Sequence, residues 1–244
     1  MELQADKVGP IAGSTNGHHY GPMYCEIMTP LRQLNRKPRI LEIGFGCGHW
    51  NKGVGARLLK SYFTNDGGPD VSLFEVDYGG NYDTDINIKN CIEQFDRDHP
   101  GVADKVFFGD QSNATFLGEI VAATGGAFDV IIDDGGHQTQ LIMPSIEFLW
   151  PHLAPGGWYV VEDLQPGLHH VVKLIAGWAE ELACGGGDGH PCNRNEARVD
   201  KYRSQKPLDM LQVRCSLEIC AFQKAWVNAS THAGRRQHRA ALRR

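Results

Sequence analysis

The sequence lacks any hydrophobic run long enough to cross a membrane, and its beginning lacks the marks of a secretory leader. No stretch approaches the roughly 20 apolar residues that a membrane helix requires. The first ten residues, MELQADKVGP, contain neither a basic region nor an apolar region. With 41% hydrophobic and 22% charged residues, the chain is neither fibrous nor wholly disordered. We therefore expect a globular, cytoplasmic protein of one large domain with no membrane partner.

The seven cysteines lack the spacing of a structural metal site, because none of them forms a C-x-x-C pair. They are scattered along the chain and odd in number. Thiols in a cytoplasmic protein are normally reduced, so we expect reduced cysteines and no structural zinc.

Basic residues outnumber acidic ones only at the C-terminal end. Residues 227–244 contain five arginines and no acid, so residues 1–226 hold the other 19 basic residues against all 29 acidic ones. An acidic body disfavours a nucleic-acid groove, which requires a positive surface. We expect the tail to be disordered, and the alternative is an arm that binds a partner or an anionic surface. Neither composition nor charge specifies an oligomeric state.

Short apolar runs alternate with longer segments of helical spacing, a pattern typical of a doubly wound α/β fold. The strand candidates are residues 39–43, 71–76, 105–108, 128–132 and 158–161. The helix candidates are residues 49–63, 85–98, 114–124, 139–153 and 168–182. Two further runs, 210–214 and 217–223, are too close for a parallel crossover. The sequence thus predicts a mostly parallel sheet closed by a C-terminal antiparallel hairpin.

The sheet and its hairpin account for residues 39–226, which we expect to form one domain. Residues 1–38 precede the first strand, and we expect them to form a helical segment near the substrate. Residues 185–207 are rich in glycine and charge and exceed the usual loop length, so they form either a lid or a disordered loop.

A glycine-rich turn follows the first strand in the sequence RILEIGFGCG. Gly44, Gly46 and Gly48 let the backbone turn sharply and approach a ligand, and the following helix offers free N–H groups. The dinucleotide fingerprint has its third glycine one place later, where this chain has His49. Glu42 is an acid at the end of a buried strand, which favours a functional role over an ordinary tight turn.

Polar side chains also end the second and third strands. An acid at the end of the second strand, Glu75 or Asp77, is placed to accept hydrogen bonds from ribose hydroxyls. The strand pattern does not decide between the two, and the alternative is a solvated loop acid. Asp110 and Gln111 follow the third strand, where a carboxylate or an amide could receive an adenine amino group.

The densest group of polar residues follows the fourth and fifth strands. It contains four carboxylates and a histidine: Asp133, Asp134, His137, Glu162 and Asp163. Because such crowding of like charge is costly without a cation, we expect Mg²⁺ or a similar ion among the four acids. The alternative is that the acids cap the following helices. The histidine is the group nearby that exchanges a proton near neutral pH.

The chain resembles class I S-adenosylmethionine-dependent methyltransferases. More narrowly, it resembles the family of macrolide-sugar O-methyltransferases and cephalosporin-hydroxylase-like proteins, with fungal relatives known as hard-surface-induced proteins. The similarity covers most of residues 5–225. It rests on Asp6-Lys7, His19-Tyr20, LEIGFGCG, GDQSNATFL, FDVIIDDGGH and PGGWYVVEDLQ. The insertion at 81–85 and the segment 185–207 depart from the family pattern.

The resemblance implies a role for each of these polar positions. Glu42 and the three glycines would hold the methionine part of the cofactor, Glu75 the ribose with Asp77 as second choice, and Asp110 and Gln111 the adenine. Asp133 is expected to contact the cofactor as well. The metal ligands would be Asp133, Asp134, Glu162 and Asp163, and the general base would be His137.

The sequence therefore predicts an S-adenosylmethionine-dependent, Mg²⁺-assisted O-methyltransferase that acts on a small hydroxylated molecule. Two alternatives remain. One is a non-catalytic protein that binds S-adenosylmethionine, and the other is a hydroxylase-like or other oxidoreductase on the same sheet.

Overall fold

The protein forms a seven-stranded sheet with helices on both faces. The structure is a computed structural model that describes residues 20–48, 52–79, 88–164, 169–183 and 206–226. The strands are β1 (Arg39–Ile43), β2 (Ser72–Asp77), β3 (Lys105–Phe108), β4 (Phe128–Asp133), β5 (Leu153–Val161), β6 (Met210–Ser216) and β7 (Ile219–Lys224). The helices are α1 (Gly21–Leu31), α2 (Val54–Thr64), α3 (Ile88–Asp98), α4 (Ala114–Thr124), α5 (Thr139–Leu149) and α6 (His169–Ala183).

The strand order is β3-β2-β1-β4-β5-β7-β6. The first five strands pair in parallel, and β7 runs antiparallel to both β5 and β6. Both the parallel sheet and the closing hairpin were predicted from the sequence and are confirmed. The chain leaves β1 in one direction to build β2 and β3 and returns to its other side with β4, so the strand order reverses between β1 and β4. Open α/β sheets bind their ligands at such a point.

Strands that are buried on both faces explain the continuous apolar runs in the sequence. All six residues of β4 are buried. On one face of the sheet, Leu41 and Ile131 belong to a cluster with side chains of α4, α5 and α6. On the other face, Ile40 and Val130 belong to a cluster with side chains of α1 and α2. This burial fixes the register of β1 and β4, because a slip by one residue would turn each side chain to the opposite face.

Some of the predicted helix and strand bounds are confirmed by the structure, and others are wrong. Strands 39–43 and 105–108 and helix 114–124 are found as predicted. The prediction of one helix over 139–153 is wrong. Helix α5 ends at Leu149, a short 3-10 turn covers Trp150–His152, and Leu153 begins a β5 that is longer than the predicted 158–161. Lys224 on β7 donates hydrogen bonds to the carbonyl oxygens of this turn, and proline at 151 disfavours a continued helix.

Several predictions fall on residues outside the described ones. These are the tail at 227–244, the insertion at 81–85, His49 and, apart from its last two residues, the segment 185–207. None of the helices in the described ranges has the length and apolar character of a membrane-spanning segment.

The expectation that the cysteines are reduced is wrong for four of them. Cys47, in the glycine turn, is bonded to Cys91 on α3, and Cys215 is bonded to Cys220 across the hairpin. Among the described residues, Cys25 is a free cysteine and is exposed. The pairing of Cys47 with Cys91 arises from the packing of α3 against the turn, which places Phe45 edge-on to Phe95 at 4.8 Å. The spacing of the cysteines along the sequence does not predict that contact.

We predict that removing the Cys47–Cys91 crosslink destabilises the fold. The double variant Cys47→Ala/Cys91→Ala should lose about 4 kcal/mol of unfolding free energy, because the bond closes a long loop in the unfolded chain. Urea unfolding measures this loss, and Cys25→Ala is the control that removes a free thiol and should lose little. If all seven cysteines of the unreduced, unfolded protein react with a thiol reagent, the pairing is refuted.

Candidate active site

The turn after β1 is held against the end of β2 and the start of the β4 loop. The backbone N–H groups of Gly44 and Phe45 both donate to the carbonyl oxygen of Val76, at 2.8 and 3.0 Å. On the other side, a Cβ atom at Gly44 would lie 2.1 Å from the carbonyl oxygen of Asp134. Gly44 has a φ of 118° and Gly46 a φ of 78°, values that favour glycine. The first two glycines of the turn are therefore required by its geometry.

Asp77 joins the end of β2 to the glycine turn. Its carboxylate accepts hydrogen bonds from the backbone N–H of Cys47 and of Gly79, both at 2.9 Å. Glu75 lies two residues earlier on the same strand, and its side chain is fully buried. Of the two acids that the sequence left open for the ribose, Asp77 is the one that contacts the glycine turn.

Glu42 lies beside Glu75 in the parallel register of β1 and β2, and both acids are buried. The carboxylate oxygens of Glu42 lie 2.3 and 2.4 Å from the point where a Cβ atom of Gly55 would be. Glu42 therefore occupies the space at the start of α2 that the glycine leaves open. The N-terminus of a helix favours a negative charge, which explains an acid at the end of a buried strand. Gly48, the third glycine of the turn, is exposed.

Asp110 and Gln111 have different surroundings. Asp110 is partly exposed, and one of its carboxylate oxygens accepts from the N–H and the hydroxyl of Ser112. Gln111 is buried and braces the loop after β4. Its amide nitrogen donates to Asp133 at 2.9 Å, and its amide oxygen accepts from the N–H of Gly136 at 2.7 Å. Gln111 thus positions the neighbouring loop.

Asp133 lies below the surface of the site. It is 1% exposed, and its two carboxylate oxygens accept hydrogen bonds from Gln111 and, at 3.0 Å, from the hydroxyl of Tyr159. Burial raises the pKa of Asp133 to about 6, although these hydrogen bonds act in the opposite direction. Such a carboxylate anchors the loop that follows β4 from beneath.

Three of the predicted site residues come together at the edge of the sheet. Asp134, His137 and Asp163 each offer one ligand atom within 4.8 Å of the others, and all three are partly exposed. Nε2 of His137 is 3.7 Å from a carboxylate oxygen of Asp163. The two carboxylates at this spacing fit a divalent cation that prefers oxygen ligands, and the imidazole lies beside them. Asp133 and Glu162, which were also predicted as ligands, do not belong to this group of three.

Two tyrosines that the sequence reasoning left without a role contact the acids after β5. Tyr24 on α1 donates to Glu162, which is buried. Tyr20, immediately before α1, donates to Asp163 at 2.6 Å. Burial, together with the hydrogen bond to Asp163, raises the pKa of Tyr20 far above its usual value, so its hydroxyl stays protonated. The two tyrosines lie one helical turn apart, and this spacing was the signal in the sequence that could have indicated that they act on the same side of α1.

The sheet has the fold of solved methyltransferases. In comparisons with solved structures, the MycE methyltransferase of the mycinamycin pathway, in complex with Mg, SAH and mycinamycin VI, superposes with a TM-score of 0.59. That alignment covers 85% of this chain and 49% of MycE at 22% identity. A second MycE structure, with Mg and SAH, gives a TM-score of 0.61 over 96% of this chain and 57% of MycE. At this identity the likeness establishes the fold.

The sequence is also similar to curated O-methyltransferases. Mycinamicin VI 2''-O-methyltransferase of Micromonospora griseorubida is 34% identical over 149 residues, which are 60% of this chain and 32% of that enzyme. Demethylmacrocin O-methyltransferase of Streptomyces fradiae is 33% identical over 165 residues, 67% of this chain and 35% of that enzyme. The resemblance inferred from the motifs is confirmed, and the chain spans about a third of the length of these relatives. No protein-family model matches the chain.

We predict that the contact between Gly44 and Asp134 is essential to the fold of the site. Gly44→Ala should cost about 3–5 kcal/mol of unfolding free energy, because it adds a steric clash with backbone to an unfavourable φ. Gly125→Ala is the matched control, since Gly125 has a φ of 82° with open space around its Cβ position. The control should cost about 1–2 kcal/mol. Equal losses in urea unfolding would show that the close approach is unimportant.

Proposed function

We propose that the protein is an S-adenosylmethionine-dependent, Mg²⁺-assisted O-methyltransferase that acts on a small hydroxylated molecule. The proposal rests on the contact between the glycine turn and the loop that follows β4. The glycine turn, whose form suits a nucleoside cofactor, touches at Gly44 the loop that carries Asp134 and His137. A cofactor on the turn and a cation on the carboxylates would therefore be neighbours, as cation-assisted methyl transfer to an oxygen requires.

We assign the cofactor to the residues around the glycine turn. Gly44 and Gly46 let it approach the backbone, Asp77 receives its ribose hydroxyls and Asp110 lies by its adenine. A carboxylate accepts more than two hydrogen bonds, so Asp77 can keep its bonds to the turn and still accept from a ligand. Glu42, Glu75, Gln111 and Asp133 support these groups from the buried side.

We assign the cation to Asp134 and Asp163 and the proton transfer to His137. When bound, S-adenosylmethionine supplies the methyl group for the acceptor oxygen, and the cation supplies positive charge beside that oxygen. His137, whose Nε2 lies 3.7 Å from a carboxylate oxygen of Asp163, takes the proton of the acceptor hydroxyl. Asp134 is held in place by the hydrogen bond that its backbone N–H donates to the carbonyl oxygen of Ile43, at 2.8 Å.

The acceptor class follows from similarity to the relatives. The names of the curated relatives include mycinamicin VI 2''-O-methyltransferase and 8-demethyl-8-alpha-L-rhamnosyl tetracenomycin-C 2'-O-methyltransferase, and the second of these names a rhamnosyl sugar. A sugar hydroxyl on a glycoside is therefore the acceptor we propose for this chain. The acidic body argues against a nucleic-acid partner.

The domain division is also a proposal. We propose that residues 39–226 form the methyltransferase domain. Residues 1–38 would lie close to the substrate, since Tyr20 and Tyr24 contact the acids after β5. The disulfides among the described residues are more typical of an oxidising compartment, which argues against the cytoplasmic location expected from the sequence.

The proposed function predicts methyl transfer that depends on a divalent cation and on His137. Label from methyl-labelled S-adenosylmethionine should appear on glycosides with free sugar hydroxyls, mycinamicin VI among them, with Mg²⁺ and not with EDTA. His137→Ala should lower kcat by about 10²–10⁴-fold, because it removes the proton acceptor. His99→Ala, at the far end of α3, is the control histidine and should keep the wild-type kcat.

Two outcomes would contradict this assignment. Full methyl transfer in the presence of EDTA would show that the reaction does not need the cation. A His137→Ala variant that loses Mn²⁺ affinity as well as kcat would make His137 a ligand of the cation and leave the proton to another acceptor.

A further inference from the structure

Asp163 has an unusual backbone conformation for a carboxylate that is to hold a cation. Its φ is 53°, in the left-handed region that residues other than glycine rarely adopt. It follows Glu162, whose N–H donates to the carbonyl oxygen of Asp133 at 3.0 Å, so the chain leaves the sheet at this residue. Contacts from the surrounding structure must hold Asp163 in this conformation, because a residue other than glycine is strained there.

The hydroxyl of Tyr20 contacts both the backbone and the side chain of Asp163. It donates to Oδ1 of Asp163 at 2.6 Å and accepts from the backbone N–H of the same residue at 3.2 Å. The two bonds close a small ring through Asp163, which restrains both its φ and its side-chain torsion. Tyr20 is itself 1% exposed and belongs to the buried cluster that includes Trp158 and Ile219.

Because of these hydrogen bonds, the two carboxylate oxygens of Asp163 have different surroundings. Oδ1 is engaged by Tyr20, and Oδ2 is the oxygen that lies 3.7 Å from Nε2 of His137. Oδ2 therefore lies on the side of His137, and the bond of Tyr20 to Oδ1 fixes its direction. Hydrogen bonds of this kind orient the ligands of metal sites, and their loss typically costs 10–100-fold in metal affinity.

We propose that Tyr20 is a positioning residue that presents Oδ2 of Asp163 to the divalent cation. The inference rests on the proposed function, because it presupposes a cation at Asp134 and Asp163. It places residues outside the domain 39–226 in the construction of the site. Tyr24 donates to the side chain of the preceding residue, Glu162, so tyrosines of the segment before β1 contact two consecutive acids after β5.

The test is the affinity of the protein for Mn²⁺, followed by electron paramagnetic resonance of the free ion. Tyr20→Phe keeps the buried ring and removes the hydroxyl, and it should raise the Kd for Mn²⁺ by about 10-fold or more. Its Kd for S-adenosylhomocysteine, measured by calorimetry, should stay within a factor of two of the wild type. Tyr62→Phe is the matched control, since its hydroxyl contacts Thr29 on the outer side of α1.

The outcomes separate this inference from the proposed function. Wild-type protein that does not bind Mn²⁺ overturns both. Wild-type protein that binds Mn²⁺, with an unchanged Kd in Tyr20→Phe, overturns the positioning role alone. Equal losses of Mn²⁺ and S-adenosylhomocysteine affinity would show a general loosening of the fold and would also overturn it.

Discussion

The adjacency of β1 and β4 is the constraint on which the site depends. Ile43 lies opposite Asp133 in the parallel register, so the turns that follow the two strands leave the sheet side by side. The backbones then approach so closely that only a glycine fits at position 44. A longer side chain there would separate the glycine turn from the loop that carries Asp134 and His137. Open α/β sheets bind ligands in the crevice beyond such a reversal of the strand order.

The second constraint is electrostatic, since many carboxylates meet at one edge of the sheet. The fold separates them by the alternation of side chains along each strand. Asp133 points to the face of α4 and α5, where Gln111 and Tyr159 donate to it. Glu162 points to the opposite face, where Tyr24 donates to it. Asp134 and Asp163 lie beyond the strand ends, which leaves two carboxylates beside His137 in place of four.

The sequence was most informative where the signal is local. Helix α4 was bounded correctly because Asn113 caps its first turn through bonds to Thr115 and Phe116, and the left-handed Gly125 ends it. The acids at the strand ends were found because parallel strands place their carboxyl ends at one edge of the sheet.

The remaining features depend on contacts between distant parts of the chain. Nothing near 150 reveals that Lys224 stabilises a turn there, and nothing near Cys47 reveals Cys91. The sequence also could not predict which of the four acids are buried and which two lie beside His137. That arrangement follows from the strand register and from Tyr20, which lies 143 residues before Asp163.

The central claim is that the crevice between β1 and β4 holds a nucleoside cofactor and a divalent cation side by side. A crystal structure of the protein with Mn²⁺ and S-adenosylhomocysteine, in which anomalous scattering locates the ion, tests it most directly. We expect the ion to bond to carboxylate oxygens of Asp134 and Asp163, with the nucleoside on the turn at Gly44–Gly46 and its ribose at Asp77. An ion bound only elsewhere, or a nucleoside outside this crevice, would contradict the claim.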